Sequence, residues 1–261
     1  MIKPNYEGGS IVNLMSSIMQ GLGHASNYHL PLRDLDNNRL QQAQNVVLLV
    51  IDGLGYQYLT ETGKHSALHG HLHSKLTTVF PSTTASAITT FMTGLAPQQH
   101  GLTGWFTYFQ ELGTILTVLP FRPRFGGKSL SDLNIDEQSL YGHTPLCDLL
   151  DRDCFIVTPD AIAFSEYSLA HRGTAHIQPY ETLTECFDFT RDIINSGKQN
   201  KYIYTYWPLF DGMAHEKGVG SQDVKQHFQE IDQAFAKFVD AITGSNTLVI
   251  ATADHGIIDS G

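Results

Sequence analysis

Four short segments, far apart in the chain, carry side chains that could do chemistry together. Asp52 ends the apolar run Val46-Val47-Leu48-Leu49-Val50-Ile51, Thr84 lies in a run of hydroxyls, Asp211 and His215 stand four apart, and Asp254 and His255 are adjacent. Carboxylates and imidazoles hold divalent cations, and a hydroxyl beside such a cation can attack an electrophile. Acids, imidazoles and one hydroxyl point to hydrolysis at phosphorus.

Taken singly, each segment has a plainer reading. Gly53-Leu54-Gly55 follows Asp52, so an acid leaves a buried strand into a tight turn, where open α/β sheets hold ligands; an Asp capping the next helix fits the same residues. Pro81 to Gly94 gathers hydroxyls before small and apolar residues at helical spacing. That places a side-chain oxygen at a helix N-terminus, which favours an anion, or gives an ordinary Ser/Thr cap. Asp211-x-x-x-His215 can face one ion if the segment is helical or turn-like, or can be a solvated pair. Asp254-His255-Gly256 follows Thr247 to Ala253 and repeats the logic of Asp52; a polar strand-to-turn junction is its alternative.

Together, and in this order, the segments resemble a known family. Ile51-Asp52-Gly53, the Pro81-to-Gly94 stretch, Gly94-Leu95-Ala96-Pro97 with His100-Gly101, Asp211-x-x-x-His215-x-x-Gly218 and Asp254-His255-Gly256 are similar to the type I phosphodiesterase/nucleotide pyrophosphatase branch of the alkaline phosphatase superfamily. The resemblance implies two divalent metal ions, zinc or manganese, flanking a Thr or Ser nucleophile ten residues before the glycine of a Thr-Gly pair. Counting back from Gly94 gives Thr84. It assigns Asp52, Thr84, Asp254 and His255 to one metal and Asp211 with His215 to the other. It also implies a phosphodiester or pyrophosphate substrate, with a phosphomonoesterase or phosphonate hydrolase as alternatives.

The chain departs from the pattern at two points. The family has a further metal-ligating His downstream of Asp-His-Gly, and no residue between His255 and Gly261 can supply it. A short further C-terminal region, or closure by another residue, is therefore expected. Nucleotide-hydrolysing members carry an Asn just after the His-Gly pair, and here Trp105 falls at that position. Trp105, in Trp105-Phe106-Thr107-Tyr108-Phe109, is the candidate substrate-binding residue, an aromatic face for an organic substituent; a strand contributing core is the other reading. Arg122, Arg124 and Lys128 lie in or beside a Pro/Gly-rich loop that could hold an anion or simply be solvated. His171, Arg172 and His176 read as surface or lid residues.

These segments need a scaffold, and hydrophobic periodicity supplies one. Strands are expected at 46–51, 74–79, 154–158, 201–207 and 247–253, with helices at 54–63, 84–93, 180–196 and 222–242. Strands separated by helix-length segments predict a mainly parallel sheet covered on both faces, in a single domain of 261 residues. Residues 104–146 break the rhythm and are the expected inserted cap. In the last helix Val224, Phe228, Ile231, Phe235, Phe238, Val239 and Ile242 recur at three- and four-residue spacing, with Ser221 as N-cap and Gly244 as stop.

A net charge of −10 argues against a nucleic-acid polymer as partner and leaves small phosphorylated substrates, since bound metal supplies local positive charge. Cys147, Cys154 and Cys186 form no Cys-x-x-Cys pair, which fits a reducing cytoplasm. No segment reads as a signal peptide or a membrane span. A non-catalytic metal- or ligand-binding protein of the same fold is the rival from another functional class.

Overall fold

The computed structural model describes residues 2–24, 30–127 and 140–258; Lys128 and part of the expected cap lie outside them. Its elements are α1 (Ile11–Gly21), α2 (Asn37–Gln42), β1 (Asn45–Ile51), α3 (Tyr56–Glu61), α4 (Ala67–Gly70), α5 (Thr84–Thr93), α6 (Pro97–His100), β2 (Phe106–Phe109), β3 (Thr114–Thr117) and β4 (Arg122–Pro123). There follow β5 (Asp153–Pro159), α7 (Asp160–Ala163), α8 (Glu166–His171), β6 (His176–Tyr180), α9 (Leu183–Asn195), β7 (Lys201–Trp207), α10 (Leu209–Lys217), α11 (Gln222–Ala241) and β8 (Thr247–Thr252).

Five strands form one parallel sheet in the order β6-β5-β7-β1-β8. β1 and β7 are buried along their whole length, as a strand between two neighbours and two helical layers must be. The alternation of β1 divides the interior in two. Val46, Leu48 and Val50 face a core shared with α1, α5 and α8, whereas Val47, Leu49 and Ile51 face one shared with α9, α10 and α11. Each such side chain contributes about 1.5–3 kcal/mol through burial, so the register of β1 is strongly specified. The α11 stripe behaves as its periodicity predicts, with Val224, Phe228, Ile231, Phe235 and Phe238 buried and Ser221 accepting from the Val224 N–H.

The expected strand at 74–79 does not form. β1 is already paired on both sides, and the segment runs extended along the N-terminal region, bridging Ser10 to Thr77. Thr77 donates its N–H to Gly9 and accepts from Ile11. Several elements lie outside the sequence expectation, among them α1 and β6. β6 occupies 176–180 and displaces the start of the following helix to Leu183, where Thr182 and Glu185 make a reciprocal capping box.

Residues 106–123 form a separate three-stranded antiparallel sheet, β2-β3-β4. Of β2 only Phe109 is buried; Phe106 and Tyr108 are exposed, so the strand contributes one face to the core and leaves the other outside. Arg124 stacks its guanidinium over the Phe106 ring at 4.0 Å. Among the described residues no helix is long and apolar enough to cross a membrane.

Candidate metal and phosphoryl site

Parallel strands all point their carboxyl ends the same way, and here three adjacent ones deliver acids to one edge. Ile51 pairs with Trp207 and Val50 with Thr252, so the chain leaves β1, β7 and β8 at one level. Asp52 follows β1 directly, Asp211 lies in the first turn of α10, and Asp254 lies two residues past β8. This is the strand-end crevice where open α/β sheets bind ligands.

The acids are deeply placed. Asp254 is 0% exposed and Asp52 3%. Asp254 Oδ1 accepts from the Gly53 N–H at 3.0 Å and from its neighbour His255 N–H at 2.8 Å. Thr78 donates its hydroxyl to the Asp254 carbonyl. Asp52 Oδ2 accepts from the Tyr206 hydroxyl at 2.5 Å. Asp52 and Asp254 therefore have fixed surroundings, yet Asp52 Oδ1, Asp254 Oδ2 and also Asp211 Oδ1 are buried with no hydrogen-bond partner. Gly53 makes the close approach possible. Its φ is +72°, and a Cβ there would meet Asp211 Oδ1 at 2.8 Å.

His255 is the hub. Its Nε2 is 3.5 Å from Asp52 Oδ1, 3.4 Å from Asp254 Oδ2 and 3.1 Å from the Thr84 hydroxyl. Ligand atoms of Asp52, Asp211 and His255 lie within 4.8 Å of one another. Thr84 is the first residue of α5, and Thr83, the N-cap, makes no side-chain capping bond. The N–H groups of that first turn are thus available to an anion held at Thr84. His215 lies one helical turn beyond Asp211, with its Nε2 3.5 Å from Asp211 Oδ2 and its side chain 73% exposed. Trp105 stands immediately before β2, 40% exposed, and among the described residues no hydrogen bond or ring contact ties it to the acids.

Electrostatics explain why this group calls for a cation. Burial, then the charges of Asp254 and Asp211, push Asp52 up to about 10, against the opposing Tyr206 hydrogen bond. Burial also raises Asp211, opposed by His255 and His215. Buried carboxylates this close cannot all ionise at neutral pH unless positive charge lies among them. The three orphaned oxygens and one imidazole are the donor set a zinc- or manganese-type ion takes, so the residues fit a divalent metal.

The sequence profile of the type I phosphodiesterase/nucleotide pyrophosphatase family matches residues 46–260. The chain belongs to that family. The family consists of metal-dependent hydrolases of the alkaline phosphatase superfamily, acting on phosphoester or anhydride bonds. No curated protein matches this chain. Among solved structures, mouse ectonucleotide pyrophosphatase/phosphodiesterase 5, an inactive threonine-to-alanine variant in complex with AMP, matches with a TM-score of 0.59 and 19% identity, over 81% of this chain and 56% of that one. The human counterpart gives 0.57 and 20%, over 81% and 56%. Phosphonoacetate hydrolase from Sinorhizobium meliloti 1021, with phosphonoformate, gives 0.55 and 15%, over 82% and 57%. The chain thus spans a little over half the length of these structures, and at these identities the likeness establishes the alkaline phosphatase-like fold.

Three participants escaped sequence reasoning. Tyr206, Thr78 and the Gly53 N–H act on the acids from neighbouring strands and turns, and only Tyr206 left a trace, the alternation Tyr202-x-Tyr204-x-Tyr206 on one face of a strand. His171, read as surface, is 1% exposed. It closes α8 and packs against the rings of Tyr167 and Tyr141 at 4.1 and 4.5 Å. Arg172 and His176 are on the surface.

Proposed function

We propose that this protein is a metal-dependent phosphohydrolase that cleaves a phosphodiester or pyrophosphate bond, with Thr84 as nucleophile. One observation carries the reading: the Thr84 hydroxyl, at the open N-terminus of α5, meets the same His255 nitrogen on which two unpartnered carboxylate oxygens, of Asp52 and Asp254, converge. Asp52, Asp254 and His255 with Thr84 would hold one ion, and Asp211 with His215 the second. The ions would supply Lewis-acid activation of the entering and leaving oxygens and offset charge on the phosphoryl group.

Thr84 provides the attacking oxygen. A Thr84 Oγ1–phosphorus bond forms as the bond from phosphorus to the leaving oxygen breaks, and the hydroxyl proton passes through solvent to that leaving group. Water then attacks the phospho-threonine, the Thr84 Oγ1–phosphorus bond breaks, and the hydroxyl is restored. Backbone N–H groups in the first turn of α5 orient the phosphoryl oxygens throughout. The inactive mouse relative carries its change at a threonine and binds AMP, which supports a nucleophilic threonine and a small phosphorylated substrate. The described parts of the expected cap, 104–127 and 140–146, would serve as its frame, and Trp105 would offer a stacking face to the organic part of the substrate. The likeness to phosphonoacetate hydrolase keeps a phosphonate as the second substrate class.

The test is hydrolysis of bis-p-nitrophenyl phosphate by the full-length protein with zinc or manganese, alongside Thr84→Ala, with metal content measured in both. Loss of about 10³-fold or more with metal retained is expected. Equal rates would remove Thr84 from the role. Phosphate release from phosphonoacetate in preference to diester cleavage would move the reading to a phosphonate hydrolase.

A further inference from the structure

Asp52 is held by a neighbour that neither the motif nor the metal reading includes. Tyr206 pairs with Val50 across the β1–β7 ladder, and Asp52, two residues on from Val50, falls on the same face of the sheet. A tyrosine at that register reaches its diagonal neighbour, and the Tyr206 hydroxyl donates to Asp52 Oδ2 at 2.5 Å. The tyrosine is fixed in turn: its own carbonyl accepts from the Tyr180 hydroxyl at 2.5 Å, and Tyr180 stacks on Trp207 with ring centroids 5.6 Å apart. The bonds run from β6 through β7 to β1.

We propose that Tyr206 is a positioning residue that sets the coordinating face of Asp52: by occupying Oδ2 it fixes the carboxylate plane and leaves Oδ1 as the oxygen offered to the metal. The inference rests on the metal reading above. Two observations bear on it. Of the two Asp52 oxygens, the one that Tyr206 does not bind is the orphan, and that orphan is the one 3.5 Å from His255 Nε2. Tyr206 is also buried, so no water competes for the bond and the hydroxyl has a fixed direction. Partners of this kind orient metal ligands, and their loss typically weakens metal binding about 10- to 100-fold.

The experiment is zinc affinity, by competition with a chromophoric chelator, for the wild type, Tyr206→Phe, Tyr180→Phe and Asp52→Asn, with the metal-free Tm of each. Tyr206→Phe is expected to bind zinc about 10- to 100-fold more weakly. Tyr180→Phe, which removes a hydroxyl from the same chain of bonds one step further from the acid, is expected to lower the metal-free Tm and keep wild-type affinity. Wild-type affinity in Tyr206→Phe, with binding lost in Asp52→Asn, would overturn the positioning role and leave the metal reading standing. No zinc binding by the wild type would overturn both. If Tyr206→Phe fails to fold, its combination with Asp52→Asn, which strands no buried carboxylate, should bind zinc as weakly as Asp52→Asn alone; a further loss would place the effect outside Asp52 and overturn the proposal.

Discussion

Two regions of this molecule bury ionisable groups, and they do so to opposite ends. At the carboxyl edge of the sheet, Asp52, Asp211 and Asp254 converge with oxygens left unpartnered. On the α5 and α8 side of the sheet, His100, His143 and His171 gather among aromatic rings, His143 and His171 with centroids 5.0 Å apart. Burial pushes His171 down to about 3 and His100 to about 4, the latter helped by the charge of His143, and burial lowers His143 as well. Both regions are pressed toward neutrality, but an imidazole reaches it at neutral pH by releasing a proton, whereas a carboxylate must take one up or meet a cation. His171 also spends a ring nitrogen on the Tyr167 carbonyl at 2.8 Å, and His100 Nδ1 accepts from the Leu102 N–H at 3.1 Å. His143 Nε2 and His171 Nε2 are also buried without a hydrogen-bond partner, so neither burial nor an unpartnered atom marks a site; convergent carboxylate oxygens, which carry negative charge at neutral pH unless protonated, do.

The sharpest way to break this contrast is Asp254→Asn. Removing the most deeply buried acid of the edge should cost more than 100-fold in zinc affinity while leaving the histidine cluster folded, measured by chelator competition and near-UV circular dichroism. Unchanged affinity would deny the edge its role.

Metal removal should show next. An ion present at about 1,000 times its Kd stabilises the folded state by about 4 kcal/mol, so a chelator should lower Tm by on the order of 10 °C for a domain of this size. No shift would mean that nothing at the edge depends on a cation.

The smallest expected effect belongs to the histidines. Their folded pKa values lie below the unfolded 6.5, so their stabilisation is complete above pH 6.5 and is lost as pH falls toward about 4 and about 3, by about 1.4 kcal/mol per pH unit for each group. In melts of chelated protein between pH 7 and 5 this loss runs against Asp52, whose raised folded pKa stabilises as pH falls, so the net slope is shallow, and His171→Gln, which keeps a donor for the Tyr167 carbonyl, should remove that residue's share of the acid loss. An unchanged slope would remove His171 from the acid response.

Much of the fold was legible because its central strands are apolar on both faces. The runs at 46–51, 201–207 and 247–253 read as strands from residue type alone, and the structure places them side by side. The segment 74–79 misled because residues that suit an extended chain make a strand only where a neighbour pairs along them, and among the described residues its pairing is the single bridge from Thr77 to Ser10. α1 went unread because its cap, Ser10 with Asn13, departs from the usual Ser/Thr-to-Glu/Gln spacing signal. Trp105 to Phe109 was readable as a strand, but which of its faces meets the core depends on β3 and β4.

What the sequence determined by itself was the inventory and its order: which acids, imidazoles and hydroxyl end which elements, and hence the family. Those are local facts, fixed by residue type and spacing. The tertiary structure alone decided that Asp211 gathers with Asp52 and His255 while His215 faces solvent, and that Tyr206 takes one oxygen of Asp52 and leaves the other. Contacts between residues about 150 positions apart are set by strand order and register, which no local pattern encodes.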